Sequence, residues 1–140
     1  MALLSANIVL CETVLWEKPQ IGGNTPSLIR VMSAVALPLG HNFAHFFSVT
    51  FLTCQPGEFS EHKLRIQITD KKANGIAYAP EWKFKYGYLL DPFGPGEFIL
   101  TTEFNIDVQP YQLPLGCLVS AFLDDQIVAR TPIMLRRKER

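Results

Sequence analysis

His62-Lys63-Leu64-Arg65-Ile66-Gln67-Ile68-Thr69-Asp70 decides the fold of this chain. Leu64, Ile66 and Ile68 stand at every second position, with Arg65, Gln67 and Thr69 between them. Successive side chains of an extended chain point to opposite sides, so this alternation describes a strand with one buried and one wet face. A helix would need its apolar residues three and four apart. The same period of two runs outward in both directions. Val49 and Phe51 alternate with Ser48 and Thr50, and Trp82, Phe84 and Tyr86 alternate with Lys83 and Lys85. Phe98, Leu100, Phe104 and Ile106 share a face against Glu103, Asn105 and Asp107, while Leu118, Ser120 and Phe122 oppose Cys117, Val119 and Ala121.

Turn-forming residues separate these runs at the interval of a sandwich. Lys18 to Asn24 closes the first run and Gln55-Pro56-Gly57-Glu58 the third. Asp70 to Gly75 contains Asn74-Gly75, a pair that tolerates the positive φ of a hairpin turn. Asp124-Asp125-Gln126 makes a tight C-terminal hairpin, and a Pro/Gly-rich loop spans Gly87 to Gly96. The pattern predicts about eight strands, at 7–16, 27–37, 44–54, 62–70, 75–86, 97–108, 116–123 and 126–135. With no capped helical stripe between them, two packed antiparallel sheets bury the apolar faces. The expected fold is an all-β, two-sheet antiparallel sandwich, immunoglobulin/fibronectin-like. It forms a single domain over 1–135 with a basic tail, Arg136-Arg137-Lys138-Glu139-Arg140.

At 140 residues the chain has the length of one domain and can build a core without disulfides or metal. Thirteen basic and thirteen acidic residues cancel to a net charge of +0. Nucleic-acid binders draw most of their non-specific affinity from a basic excess, so no nucleic-acid partner is expected, and no membrane partner either. The longest weakly polar stretch, Leu28 to Leu39, is broken by Arg30 and falls short of a membrane span. The first residues lack the charged n-region of a secretory signal, which makes the expected location cytoplasmic.

Cys11, Cys54 and Cys117 are an odd, widely spaced set. Cys54 and Cys117 have roughly the separation of an immunoglobulin inter-sheet pair. Position 115 is nevertheless Leu rather than the corner tyrosine, and no Trp closely follows Cys54. Three buried free thiols are expected.

Asn7-Ile8-Val9-Leu10-Cys11-Glu12 opens the chain; Pro56-Gly57-Glu58 is followed by His62-Lys63-Leu64-Arg65-Ile66 and Thr69-Asp70. Leu115-Gly116-Cys117-Leu118-Val119 leads to Leu123-Asp124-Asp125 and then Thr131-Pro132-Ile133. In this order the stretches resemble a family of small bacterial β-sandwich proteins catalogued only as a domain of unknown function. The likeness spans nearly the whole chain and implies the fold; it carries no activity, cofactor or catalytic residue.

The residues offer few sites for chemistry. His41 and His45, with His62, Glu58 and Glu61, are the candidate metal ligands, since zinc takes three or four N, S or O donors. On a strand, however, residues four apart lie about 13 Å apart along the chain, too far for one ion. No Gly-x-Ser-x-Gly elbow occurs, and Gly94-Pro95-Gly96 lacks the helix and lysine of a phosphate loop. Trp82, Phe84 and Tyr86 are expected to face the core with Lys83 and Lys85 solvated; were the rings exposed, they would form a stacking platform. Tyr88, Leu89, Leu90 and Phe93 are apolar residues set among Gly and Pro. They either fold down over an open end of the sandwich or present a binding patch.

The sequence therefore predicts a non-catalytic binding or scaffolding module without cofactor, acting through loop 87–96 or an edge strand on a protein partner or a second copy of itself. The alternatives are a metal-dependent hydrolase around His41 and His45, and carbohydrate or single-strand binding on the Trp82 face.

Overall fold

In the computed structural model, which describes residues 3–17, 25–38, 40–88 and 94–138, the run that opened the sequence reading is a strand, His62–Asp70. Leu64, Ile66 and Ile68 are fully buried on one side of it. It is the fifth of ten strands: β1 (Leu3–Glu17), β2 (Thr25–Val31), β3 (Ala34–Leu37), β4 (Phe43–Cys54), β5 (His62–Asp70), β6 (Gly75–Tyr78), β7 (Trp82–Phe84), β8 (Gly96–Asp107), β9 (Leu115–Leu123) and β10 (Gln126–Arg137). The only helical element among the described residues is a 3₁₀ turn at Pro110–Gln112. None of their helices is long and apolar enough to cross a membrane.

The strands form two sheets, as expected of a sandwich. Sheet A has the order β2-β1-β4-β8, and sheet B the order β3-β10-β9-β5-β6 with β7 also on β5. Leu10, Phe46, Leu52 and Phe104 of sheet A pack against Leu64, Ile66, Ile68, Val119, Ile133 and Leu135 of sheet B. Phe84 of β7 stacks on Phe98 of β8 at 3.9 Å between centroids and 9° between planes, which ties the two layers together along one side.

Three features correct the sequence reading. The strand expected at 27–37 is two strands in different sheets, β2 in A and β3 in B. Arg30 adopts φ 56° and ends the regular alternation of β2. Past it, the chain crosses layers at Met32-Ser33, where Met32 N–H still bonds Leu10 of sheet A (2.8 Å) and the Ser33 carbonyl already accepts from Met134 of sheet B (3.0 Å). Having crossed, β3 runs parallel to β10, so the pairing is not antiparallel throughout. The strand expected at 75–86 is also two, because Pro80 has no N–H to donate; β6 and β7 each pair with β5 on either side of it. Finally, Arg136 and Arg137 belong to β10 rather than to a free tail, and Lys138 N–H bonds the Leu37 carbonyl (2.8 Å).

Both hairpins read from the sequence form. Asp124 and Asp125 have φ 48° and 66°, the two left-handed residues of a two-residue hairpin turn. In the β5–β6 turn the left-handed residue is Ala73 (φ 65°), not Asn74. The Asp70 carboxylate holds that turn, accepting from Lys72 N–H (2.8 Å), Asn74 N–H (2.9 Å) and the Asn74 amide (3.0 Å).

Candidate functional site

Alternation along β4 sends Ala44, Phe46, Leu52 and Cys54 into the core, so Phe43, His45, Phe47, Val49, Phe51 and Thr53 lie on the outer side of sheet A. The register extends this outer side to the neighbouring strands. Opposite it stand Asn7, Val9 and Cys11 of β1, Ile29 and Val31 of β2 beyond them, and Ile99, Thr101 and Glu103 of β8. An apolar band thus crosses all four strands on the side away from sheet B. Val31 is 66% exposed, Ile29 42% and Leu15 51%, while Cys11 and Val49 are hidden by the bulk of their neighbours. Glu97, Glu103 and Asp107 line the β8 margin of the band. β8 is the end strand of sheet A, and the isolated bridge from Gly87 to Glu97 covers only the start of its free edge among the described residues. The outer side of sheet B mixes the two kinds of side chain: Lys63, Arg65, Gln67, Arg130 and Arg136 stand among Leu118, Phe122, Pro132 and Met134, with Tyr78 63% exposed at its margin. Arg65 lies over the Phe122 ring at 4.4 Å.

This band was legible in part. Asn7 to Trp16 and Ala44 to Leu52 hold apolar residues at both odd and even positions, the pattern of strands buried on two faces. A period of two picks out only one apolar face of each run.

A second cluster sits where the β4–β5 connection meets the β9–β10 turn. His62 Nδ1 donates to Asp124 Oδ2 at 2.7 Å, and Asp124 Oδ1 accepts from Lys63 N–H at 3.0 Å. The other ring nitrogen, Nε2, faces Glu58 Oε1 at 3.2 Å, an ion-pair distance without the alignment of a hydrogen bond. The Tyr86 ring meets the imidazole edge-on at 5.3 Å. Burial alone would lower the His62 pKa, but Asp124 and Glu58 together outweigh it and hold the pKa above its ordinary value. Burial raises the Asp124 carboxyl, and His62 and the Lys63 N–H more than reverse this, leaving it low. Hydrogen bonds from Ser60, with His62 behind them, hold Glu58 below the usual carboxylate range. Desolvation, with Cys54 next in effect, pushes Tyr86 up to about 12. The Ser60 hydroxyl contacts Glu58 rather than the imidazole. Both ring nitrogens therefore face carboxylates, which makes the cluster a clamp between two turns rather than a base poised on a nucleophile.

Tyr88 is also turned inward. Its hydroxyl accepts from Glu58 N–H (3.0 Å) and has the Glu58 and Gln55 carbonyls as acceptors at 2.8 and 3.3 Å. Its ring rests on Phe59 at 5.3 Å. Gly96 makes room for it, since a Cβ there would come within 2.8 Å of both the Tyr88 ring and Cys54 Sγ. Tyr88 thus folds down onto the β4–β5 connection. Leu89, Leu90 and Phe93 lie outside the described residues.

His41 and His45 line one cleft of about 520 Å³ with Glu12, Arg30, Met32 and Leu37. They have different neighbours: His41 stacks on Phe43, and His45 Nε2 lies 3.4 Å from Glu103. Among the described residues no three His, Cys, Asp or Glu side chains converge on a possible metal position. Of the aromatic series, Phe84 and Tyr86 are buried as expected but Trp82, at the margin of sheet B, is 53% exposed, so no three-ring platform forms. All three cysteines are free and buried. Burial raises the Cys11 thiol pKa and, with Asp70 adding to it, pushes Cys117 up to about 11.

The fold and these surfaces define a two-layer all-β sandwich. No family model matches the chain, and no curated protein does. Among solved structures it is similar to a glycosyl hydrolase family 2 member from Bacteroides cellulosilyticus DSM 14838, at 16% identity and a TM-score of 0.47, over 66% of this chain and 12% of that one. It is also similar to the Pseudomonas fluorescens alkylpurine DNA glycosylase AlkC bound to DNA containing an abasic site analog, at 12% identity and a TM-score of 0.47, over 94% of this chain and 30% of that one. The chain spans less than a third of either protein, and neither likeness bears on its activity.

Proposed function

We propose that this chain is a non-catalytic binding or scaffolding module whose working surface is sheet A, its apolar outer face together with the free edge of β8. The observation that carries this reading is the apolar band across four strands on the side facing away from the core. The outer face of sheet B intersperses Lys63, Arg65, Arg130 and Arg136 among its apolar residues. On sheet A, by contrast, the outer positions of β2, β4 and the middle of β1 carry no lysine, arginine or carboxylate, and an apolar stretch of that kind marks a place where something else binds. Among the described residues, the edge of β8 beyond Glu97 adds unpaired backbone groups beside that patch. The loop version of the reading loses Tyr88, which is engaged in holding the β4–β5 connection.

The resemblance to small bacterial β-sandwich proteins fits this reading. Glu58, His62 and Asp124 come from the stretches that carry the likeness, and they meet in the clamp. In this chain those three residues hold turns together. The three buried free thiols support a reducing, cytoplasmic setting.

Affinity capture from host lysate tests the reading, comparing the wild type with Val31→Glu and with Tyr78→Glu on the outer side of sheet B. Binding that is lost only in Val31→Glu supports it. Capture that is indifferent to Val31 and impaired by Tyr78→Glu removes sheet A as the working surface.

A further inference from the structure

We infer that the outer face of sheet A is covered by a second copy of this chain, the two sheets packing face to face about a two-fold axis. This inference rests on the reading of sheet A as the working surface and names its occupant. Three features of the face favour a copy of itself.

The first is area. Four strands about 4.8 Å apart and about nine residues long at about 3.4 Å each give a footprint of roughly 600 Å². Two copies then remove roughly 1,200 Å² from water, the lower bound of stable, specific interfaces. The second is shape. A twisted sheet face complements another of the same twist, and sheet A already packs on sheet B in this manner through its inner side. A two-fold contact uses one patch twice, so a single apolar band suffices.

The third is the distribution of charge. On β4 and β8 the carboxylates of the face, Glu97, Glu103 and Asp107, all lie on β8, and the outer positions of β1 reach a carboxylate only at their last residue, Glu17, whereas the outer positions of β2 at the other margin include Ser27, Ile29 and Val31. A two-fold axis parallel to the strands lays the β8 of one copy over the β2 of its partner. Acids then meet apolar and hydroxyl side chains at a solvated rim rather than other acids. The net charge of +0 adds no repulsion between copies.

Sedimentation velocity on the wild type, Val31→Glu, Ile29→Glu and Tyr78→Glu tests the inference, with circular dichroism to confirm that each variant folds. Val31, Ile29 and Tyr78 are 66%, 42% and 63% exposed, so charge at these positions leaves the core intact. The expected result is a dimer for the wild type and Tyr78→Glu, and a monomer for folded Val31→Glu and Ile29→Glu. A wild type that stays monomeric up to its solubility limit overturns the inference. So does a dimer that survives both glutamate substitutions. If the wild type is monomeric but Val31→Glu loses a partner that the wild type captures from lysate, the second copy fails as occupant while sheet A stands as the working surface. Loss of neither removes both.

Discussion

His62 shows how one side chain can join two distant turns. Its ring nitrogens face Asp124 and Glu58, and its own side chain is only 16% exposed. The folded-state pKa of His62 is raised, so its contribution to stability is complete below the unfolded value of about 6.5 and is lost as pH rises through the folded value. Asp124 and Glu58 are lowered, so theirs is present above ordinary carboxylate values and lost as pH falls through the folded ones. The clamp is strongest between these limits, in mildly acidic solution. His62→Gln is expected to cost about 1 kcal/mol there, once screening of the half-exposed Asp124 is allowed for, and less in alkaline solution. Denaturant melts of wild type and variant across pH check this; a cost that does not change with pH would contradict it. Thr50 is the opposite case. Its hydroxyl is wholly buried on the inner side of β4 without a partner. Thr50→Val replaces that hydroxyl with a methyl of similar size and is expected to raise stability by about 1 kcal/mol, read from the same melts. Glu58 and His62 were visible in the sequence as titratable residues near each other. Asp124 was visible only as a turn former, since nothing local links it to a histidine 62 positions earlier.

At the scale of elements, period-two patterning located the strands but not their breaks. β5 and β8 followed their alternation, because each keeps one face on the core along most of its length. The runs at 27–37 and 75–86 kept a strand-like composition through the points where they divide. There a left-handed Arg30 and a proline interrupt the hydrogen-bond ladder without changing the apolar pattern. The Asn74-Gly75 pair correctly marked a turn, yet the positive φ falls on Ala73. An L-residue with a Cβ is strained there, so Ala73→Gly is expected to stabilise the protein by about 0.5 kcal/mol, the relief of strain exceeding the added entropy of the unfolded chain. Thermal unfolding of the variant checks the sign. A lower melting temperature would mean that the turn tolerates alanine at little cost.

For the whole molecule, folding and pairing become one equilibrium if two copies share the outer face of sheet A. The melting temperature of the wild type should then rise with protein concentration, and that of Val31→Glu should not. Calorimetry over a range of concentrations reads this directly; parallel flat lines for both proteins would speak against a folded dimer. The amino-acid sequence by itself determined that the chain is an all-β sandwich, where most of its strands lie, where its hairpins turn, and that its thiols are free and buried. Those properties follow from contacts between near neighbours and from the alternation of apolar residues, which are local and additive. Only the tertiary structure decided which sheet each strand joins, that β3 lies parallel to β10, that Tyr88 points inward, and that Glu58, His62 and Asp124 meet. It also decided that the second apolar face of β1 and β4 points away from the core. Each of these depends on register between segments far apart in the chain, and a period of two gives a strand two faces without saying which faces the other sheet.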